Sequence, residues 1–189
     1  MRLRSVTLVA ALSLLPGYIG PVSAAEAESG VLMSSSDRRS ATAMVEDDAI
    51  ESRSYKRITD KYGSSAQVSV SAFNRFALLT GTAANDDSKM DIERIVGNVP
   101  NVKGIANEIV VGATAGGSSR NDAFITSNVK ARFLGSQLLR ADHVRVITRD
   151  GVVYLMGLLS HAEANAASEI ASTTPDVQKV VRVFEYIDQ

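Results

Sequence analysis

The chain contains no cysteine, which excludes a disulfide, a thiolate metal site and a thiol nucleophile. Beyond the first two dozen residues no apolar run approaches the length a helix needs to cross a bilayer, so the rest of the chain is expected to be soluble or peripherally attached. Histidine is scarce. Only His143 and His161 occur; neither has a partner set for acid-base or nucleophilic work, and both read as solvated surface residues. Gly116-Gly117 lacks the strand and helix context of a phosphate loop. The carboxylate pairs Asp47-Asp48 and Asp86-Asp87 stand at expected helix starts, where the helix dipole favours negative charge and explains them without a metal or a proton-transfer role. No basic groove with interleaved aromatics is present, which argues against nucleic acid. The expectation is a non-enzymatic protein with no cofactor and no metal.

What is present is a repeat. Asp48-Ala49-Ile50 recurs as Asp122-Ala123-Phe124, Gly81 as Gly157, and Pro100-Asn101-Val102 as Pro175-Asp176-Val177, a spacing of about 75 residues that predicts two tandem modules. The net charge of -1 hides an asymmetry. Residues 120–150 carry Arg120, Lys130, Arg132, Arg140, Arg145 and Arg149 against Asp122, Asp142 and Asp150, whereas residues 46–112 carry more acids than bases. If one module meets an anionic partner, it is the second.

Arg2 and Arg4, the apolar stretch from Val6 to Leu15, and Val22-Ser23-Ala24 make residues 1–24 a signal peptide, which predicts export through a bacterial inner membrane. Residues 25–45 are small and polar, without period, and read as a flexible tether. The modules are expected at 46–112 and 121–189, joined by a Gly/Ser-rich linker at 113–120.

Each module reads αββαβ: an α+β unit in which a three-stranded mixed sheet packs under two helices. In the first, a helix is expected from about Asp47 to Tyr62, then strands around Val68–Ala72 and Phe76–Thr80, a helix capped by Asn85, and a closing strand over 102–111. In the second, a helix is expected from Asp122 to about Leu139, Asp150-Gly151 forms a two-residue hairpin turn, and Ser160-His161-Ala162-Glu163 is a capping box. On the first helix of the second module, Ile125, Val129 and Phe133 form the stripe that meets the sheet. Phe124, Ser127, Lys130, Ala131, Leu134 and Leu138 fall on the opposite side. An outer face with an aromatic, two leucines and a cation calls for a cover: lipid, the other module, or another protein.

These residues resemble tandem BON domains of exported Gram-negative proteins, through Asn121-Asp122-Ala123-Phe124-Ile125-Thr126, Tyr154-Leu155-Met156-Gly157-Leu158 and the stretch from Ala171 to Ile187. Within that family the chain is most similar to an outer-membrane lipoprotein branch and more distantly to osmotically inducible periplasmic members. The resemblance implies a periplasmic factor supporting outer-membrane integrity. It would bind anionic phospholipid at the inner leaflet of the outer membrane through Phe124, Ser127, Lys130, Leu134 and Gly135. Leu14-Leu15-Pro16-Gly17-Tyr18 resembles a lipobox with Tyr18 where an acylated cysteine would stand, so no acyl anchor is available to this sequence. A soluble stress or chaperone-like protein, and an adaptor for outer-membrane assembly machinery, are the alternative readings.

Overall fold

The computed structural model describes residues 37–112 and 119–187. The expected signal peptide and most of the expected linker lie outside the described residues, as does the expected tether as far as residue 36.

Helix α1, Ala41–Tyr62, starts ahead of the expected Asp47 because Ser40 caps it, its hydroxyl accepting the Ala43 N–H at 3.1 Å. Residues 37–45 therefore belong to the folded body, which shortens the expected tether. The helix turns Ala43, Asp47, Ile50, Ser54 and Ile58 inward at three- and four-residue spacing. Strands β1 (Gln67–Phe73) and β2 (Phe76–Ala83) pair antiparallel across Asn74-Arg75, both at positive φ as a two-residue hairpin requires. Helix α2, Asp86–Gly97, is capped by Asn85 and crosses to β3, Gly104–Val111, parallel to β2. The second domain repeats the order with α3 (Ser119–Leu134), β4 (Val144–Arg149), β5 (Val152–Leu159), α4 (His161–Ser172) and β6 (Lys179–Tyr186). Its turn is Asp150-Gly151 and its capping box is Ser160 with Glu163.

The structural register of the repeat is 75 residues, one off the sequence pairing at the first helix. Asp47 corresponds to Asp122: each is the carboxylate on its first helix that accepts both N–H groups of the hairpin turn. Asp47 takes Asn74 and Arg75 at 2.8 and 2.6 Å, and Asp122 takes Asp150 and Gly151 at 2.9 Å. Asp47 is thus a buried structural acid in the second turn of its helix and not a charge placed at a helix start. Gly81 and Gly157 are fixed by close approach of the neighbouring strand. A Cβ would stand 2.0 Å from Gln67 O at the first and 2.7 Å from His143 O at the second.

The two sheets dock back to back. Ile50, Leu79, Ile92 and Ile109 fill the space between helices and sheet in the first domain; Ile125, Val129, Phe133, Val153 and Leu155 do so in the second. A third cluster joins the opposite sheet faces: Phe73 and Leu78 meet Tyr154 and Met156, flanked by Ala106, Ile147, Val181 and Val183. Strand β5 is consequently buried on both sides, which is why it reads as an unbroken apolar run. The layers run helices, sheet, sheet, helices.

Residues 37–39 clasp the seam. Arg38 makes a two-pronged bond to Glu163 at 2.7 and 2.9 Å and donates to Leu158 O at 2.8 Å. Arg39 bonds Asp37 and Asp47 and lies over the Phe73 ring at 4.2 Å. Burial alone would raise the Glu163 pKa, but hydrogen bonds from Arg38 and the Ser160 N–H outweigh it and bring it down to about 2. His143, expected on the surface, is buried with Nδ1 3.3 Å from Glu163 Oε1. His161 is exposed, its ring edge-on to Tyr186.

Candidate functional site

The outer face of α3 is built by the same periodicity that builds its core face. Ile125, Val129 and Phe133 are fully or almost fully enclosed, which forces the residues half a turn away to point outward. Phe124 remains 57% exposed and Leu134 78% exposed, with Ser127, Lys130 and Ala131 exposed between them. The first domain does not cover this face, because the domains meet through the sheet surfaces opposite the helices. Interdomain packing, one of the covers the pattern left open, is therefore not what Phe124 and Leu134 serve.

Helix α3 ends at Leu134, earlier than the expected Leu139. Gly135 and Ser136 close it with N–H bonds to Ala131 O and Phe133 O at 3.3 and 3.1 Å. Leu138 is thus not on the helix. It lies 76% exposed on the following loop, its N–H bonded to Ser136 Oγ, while Leu139 turns inward. An open groove of about 330 Å³ beside Leu134 is lined by Ser136, Leu139, Arg140 and Asp142. The Ser127 hydroxyl donates to Ala123 O at 2.9 Å and is satisfied within the helix.

Half of the basic side chains of residues 120–150 are consumed elsewhere. Arg132 donates to Ile170 O and the Thr174 hydroxyl at 2.7 Å, closing the C-terminal end of α4. Arg145 bonds Glu51 and Ala72 O at 2.8 Å across the domain seam, and Arg149 reaches Ser69 and Gln67 O. Arg140 faces Asp142 at 3.3 Å but keeps 64% of its side chain exposed. Lys130 and Arg120 are exposed and form no ion pair among the described residues. Chemically, the face offers three large apolar side chains, two or three cations, and no arranged nucleophile or acid-base set. Among the described residues no cluster of His, Asp and Glu could hold a metal.

The sequence located the ridge but carried its helix past Leu134 through Leu138, and it could not show which basic residues of the module are engaged elsewhere. The fate of an arginine is decided by acceptors 38 to 94 positions away, which no local window contains.

Comparison with known proteins adds a family match on both halves. The model described as "BON domain" matches residues 46–113 and again 121–188. A 21 kDa hemolysin of Actinobacillus pleuropneumoniae is 34% identical over 154 residues, 80% of this chain and 79% of that protein. The outer membrane lipoprotein DolP of Haemophilus influenzae is 29% identical over 155 residues, 80% of each chain. The osmotically-inducible protein Y of Escherichia coli is 28% identical over 120 residues, 61% of this chain and 60% of that protein.

Proposed function

The chain belongs to the BON-domain family, and from that premise we propose that it is a non-enzymatic periplasmic envelope protein that docks on anionic phospholipid through the outer face of α3. One observation carries the reading: Phe124 and Leu134 stand outside the fold on a helix whose opposite face is fully packed. Such a pattern on a helix lying along a surface suits the headgroup boundary, where apolar side chains enter and cations remain near phosphate. Lys130 and Arg120 contribute about 1 kcal/mol each near an anionic leaflet. That is too little for stable attachment, so insertion of Phe124, Leu134 and Leu138 supplies most of the affinity. Ala131 and Ser127 are small enough to let the helix lie close, and Gly135 ends it where Leu138 can reach the same boundary. The relative named an outer membrane lipoprotein favours the outer membrane as the working surface; we assign the contact to its inner leaflet and the role to support of that membrane. Among the described residues no helix is long and apolar enough to cross a membrane.

Cosedimentation with vesicles tests the proposal. Phosphatidylglycerol vesicles should pellet the protein, with less in the pellet as salt rises, and phosphatidylcholine vesicles should leave most of it in solution. Equal binding to both lipids, or none to either, sinks it. Crosslinks from the ridge to a protein partner in place of lipid would favour the adaptor reading.

A further inference from the structure

The lipid reading gives the first domain no task, and its free edge carries chemistry of a different kind. Strand β1 is an outer strand, hydrogen-bonded on one side to β2. Phe73 and Phe76 flank the two-residue turn as a bonded pair, so Ala72, Val70 and Val68 turn their N–H and C=O groups away from β2. Ala72 bears this out: its N–H is taken by Glu51 and its C=O by Arg145, both at 2.8 Å. Val70 and Val68 have no backbone or side-chain partner outside β2 among the described residues. They form one wall of an open groove of about 440 Å³ whose other wall is α1, through Asp48, Glu51, Ser52 and Tyr55. Tyr55 is 64% exposed, and Asp48 is exposed with no ion pair among the described residues.

The geometry points to β1 as a strand-addition site for an extended segment of another protein, one bearing a lysine or arginine beside β-branched residues. An unpaired strand edge is complemented by another strand and by little else, because only a backbone presents donors and acceptors at that spacing. The carboxylate of Asp48 selects a cation on the incoming segment, and the Tyr55 ring gives its apolar side chains a surface. The turn-side end of the edge is already held at the Ala72 N–H and C=O, which limits the added ladder to a short stretch around Val68 and Val70.

The test is an amide NMR titration of the full chain with a blocked nine-residue peptide of alternating valine and threonine carrying a central lysine. Saturable shifts at Val68, Val70, Ser52 and Tyr55, with slowed exchange of the Val70 N–H, are expected. The same peptide with a central glutamate should bind about fivefold more weakly at low salt. Val70→Pro removes the outward N–H and should weaken binding tenfold or more with α3 signals unmoved. Asp48→Asn, at an exposed position that the fold does not use, should abolish the preference for lysine. Absent shifts, shifts centred on α3 or the seam, or Asp48→Asn without effect on that preference overturn the assignment. Concentration-dependent shifts at the same amides without peptide would assign the edge to a second copy and overturn it equally. Because α3 takes no part, failure here leaves the vesicle experiment untouched, and the reverse.

Discussion

Leu134→Glu, set beside Leu134→Ala, isolates the apolar share of the proposed membrane docking. Leu134 is the last residue of α3 and is 78% exposed, so the change removes almost no packing and the folded state should persist. Burying a whole leucine side chain contributes about 1.5–3 kcal/mol, of which roughly three quarters is still available here, so its insertion is worth about 1–2 kcal/mol. A carboxylate at an anionic surface adds an opposing ~1 kcal/mol, the mirror of what a cation gains there. Together these give about 2–3 kcal/mol, or a drop in partition to phosphatidylglycerol vesicles of roughly 30- to 150-fold. Leu134→Ala keeps the first contribution and drops the second, so it should lose about 5- to 30-fold with an unchanged salt dependence. The measurement is the bound fraction against lipid concentration, with circular dichroism and thermal unfolding as controls for fold. A folded Leu134→Glu protein that partitions like the parent would refute the reasoning, since no other residue of α3 is as exposed and apolar.

Four further outcomes follow from the packing. Asp47→Asn leaves part-buried turn amides with a weaker acceptor and Arg39 with Asp37 as its remaining charge partner; urea unfolding should show a loss of about 1–3 kcal/mol. Gly81→Ala drives a Cβ to 2.0 Å from Gln67 O at a φ of +121°, and soluble expression should fail or stability fall by about 3 kcal/mol or more. Ser54 buries a hydroxyl with no partner where the repeat places Val129, so Ser54→Ala should be neutral or stabilising by about 1 kcal/mol in thermal unfolding. The Glu163 carboxyl is held at about 2, below its ordinary 4.5. Its stabilising effect is therefore complete above pH 4.5 and disappears as pH falls through about 2. Arg38→Ala should lower stability at pH 7, and the gap to the parent should close across that window.

Much of the architecture was legible because local signals and tertiary structure agree: the Asp150-Gly151 turn, the Ser160 to Glu163 box, and the Ile125, Val129, Phe133 stripe all stand where the sequence places them. The misses share a cause. Asp37, Arg38 and Arg39 look like part of a tether because they have no period and little apolar content, yet Glu163, which orders Arg38, lies 125 positions away. His143 looks solvated for the same reason, its partner being Glu163 across the domain. At the end of α3 the stop signal Gly135-Ser136 was visible, and the leucines beyond it carried the apparent helix too far. The back-to-back docking also left a trace: Val152 to Leu159 is apolar without alternation, the mark of a strand covered on both faces. The candidate ridge was readable as a pattern, but which cations attend it depended on long-range acceptors.

The clasp at Arg38 decides where a pull from upstream would arrive. The backbone ahead of Asp37 is continuous with the first domain, but Arg38 is fastened to Leu158 and Glu163 of the second. Tension along that leader therefore loads the distal half first, stretching a charged two-pronged tie before any turn of α1 can unwind. The half that takes the strain is the one whose greasy helix faces outward, so the start of α1 and the body that carries the ridge are fastened as one piece.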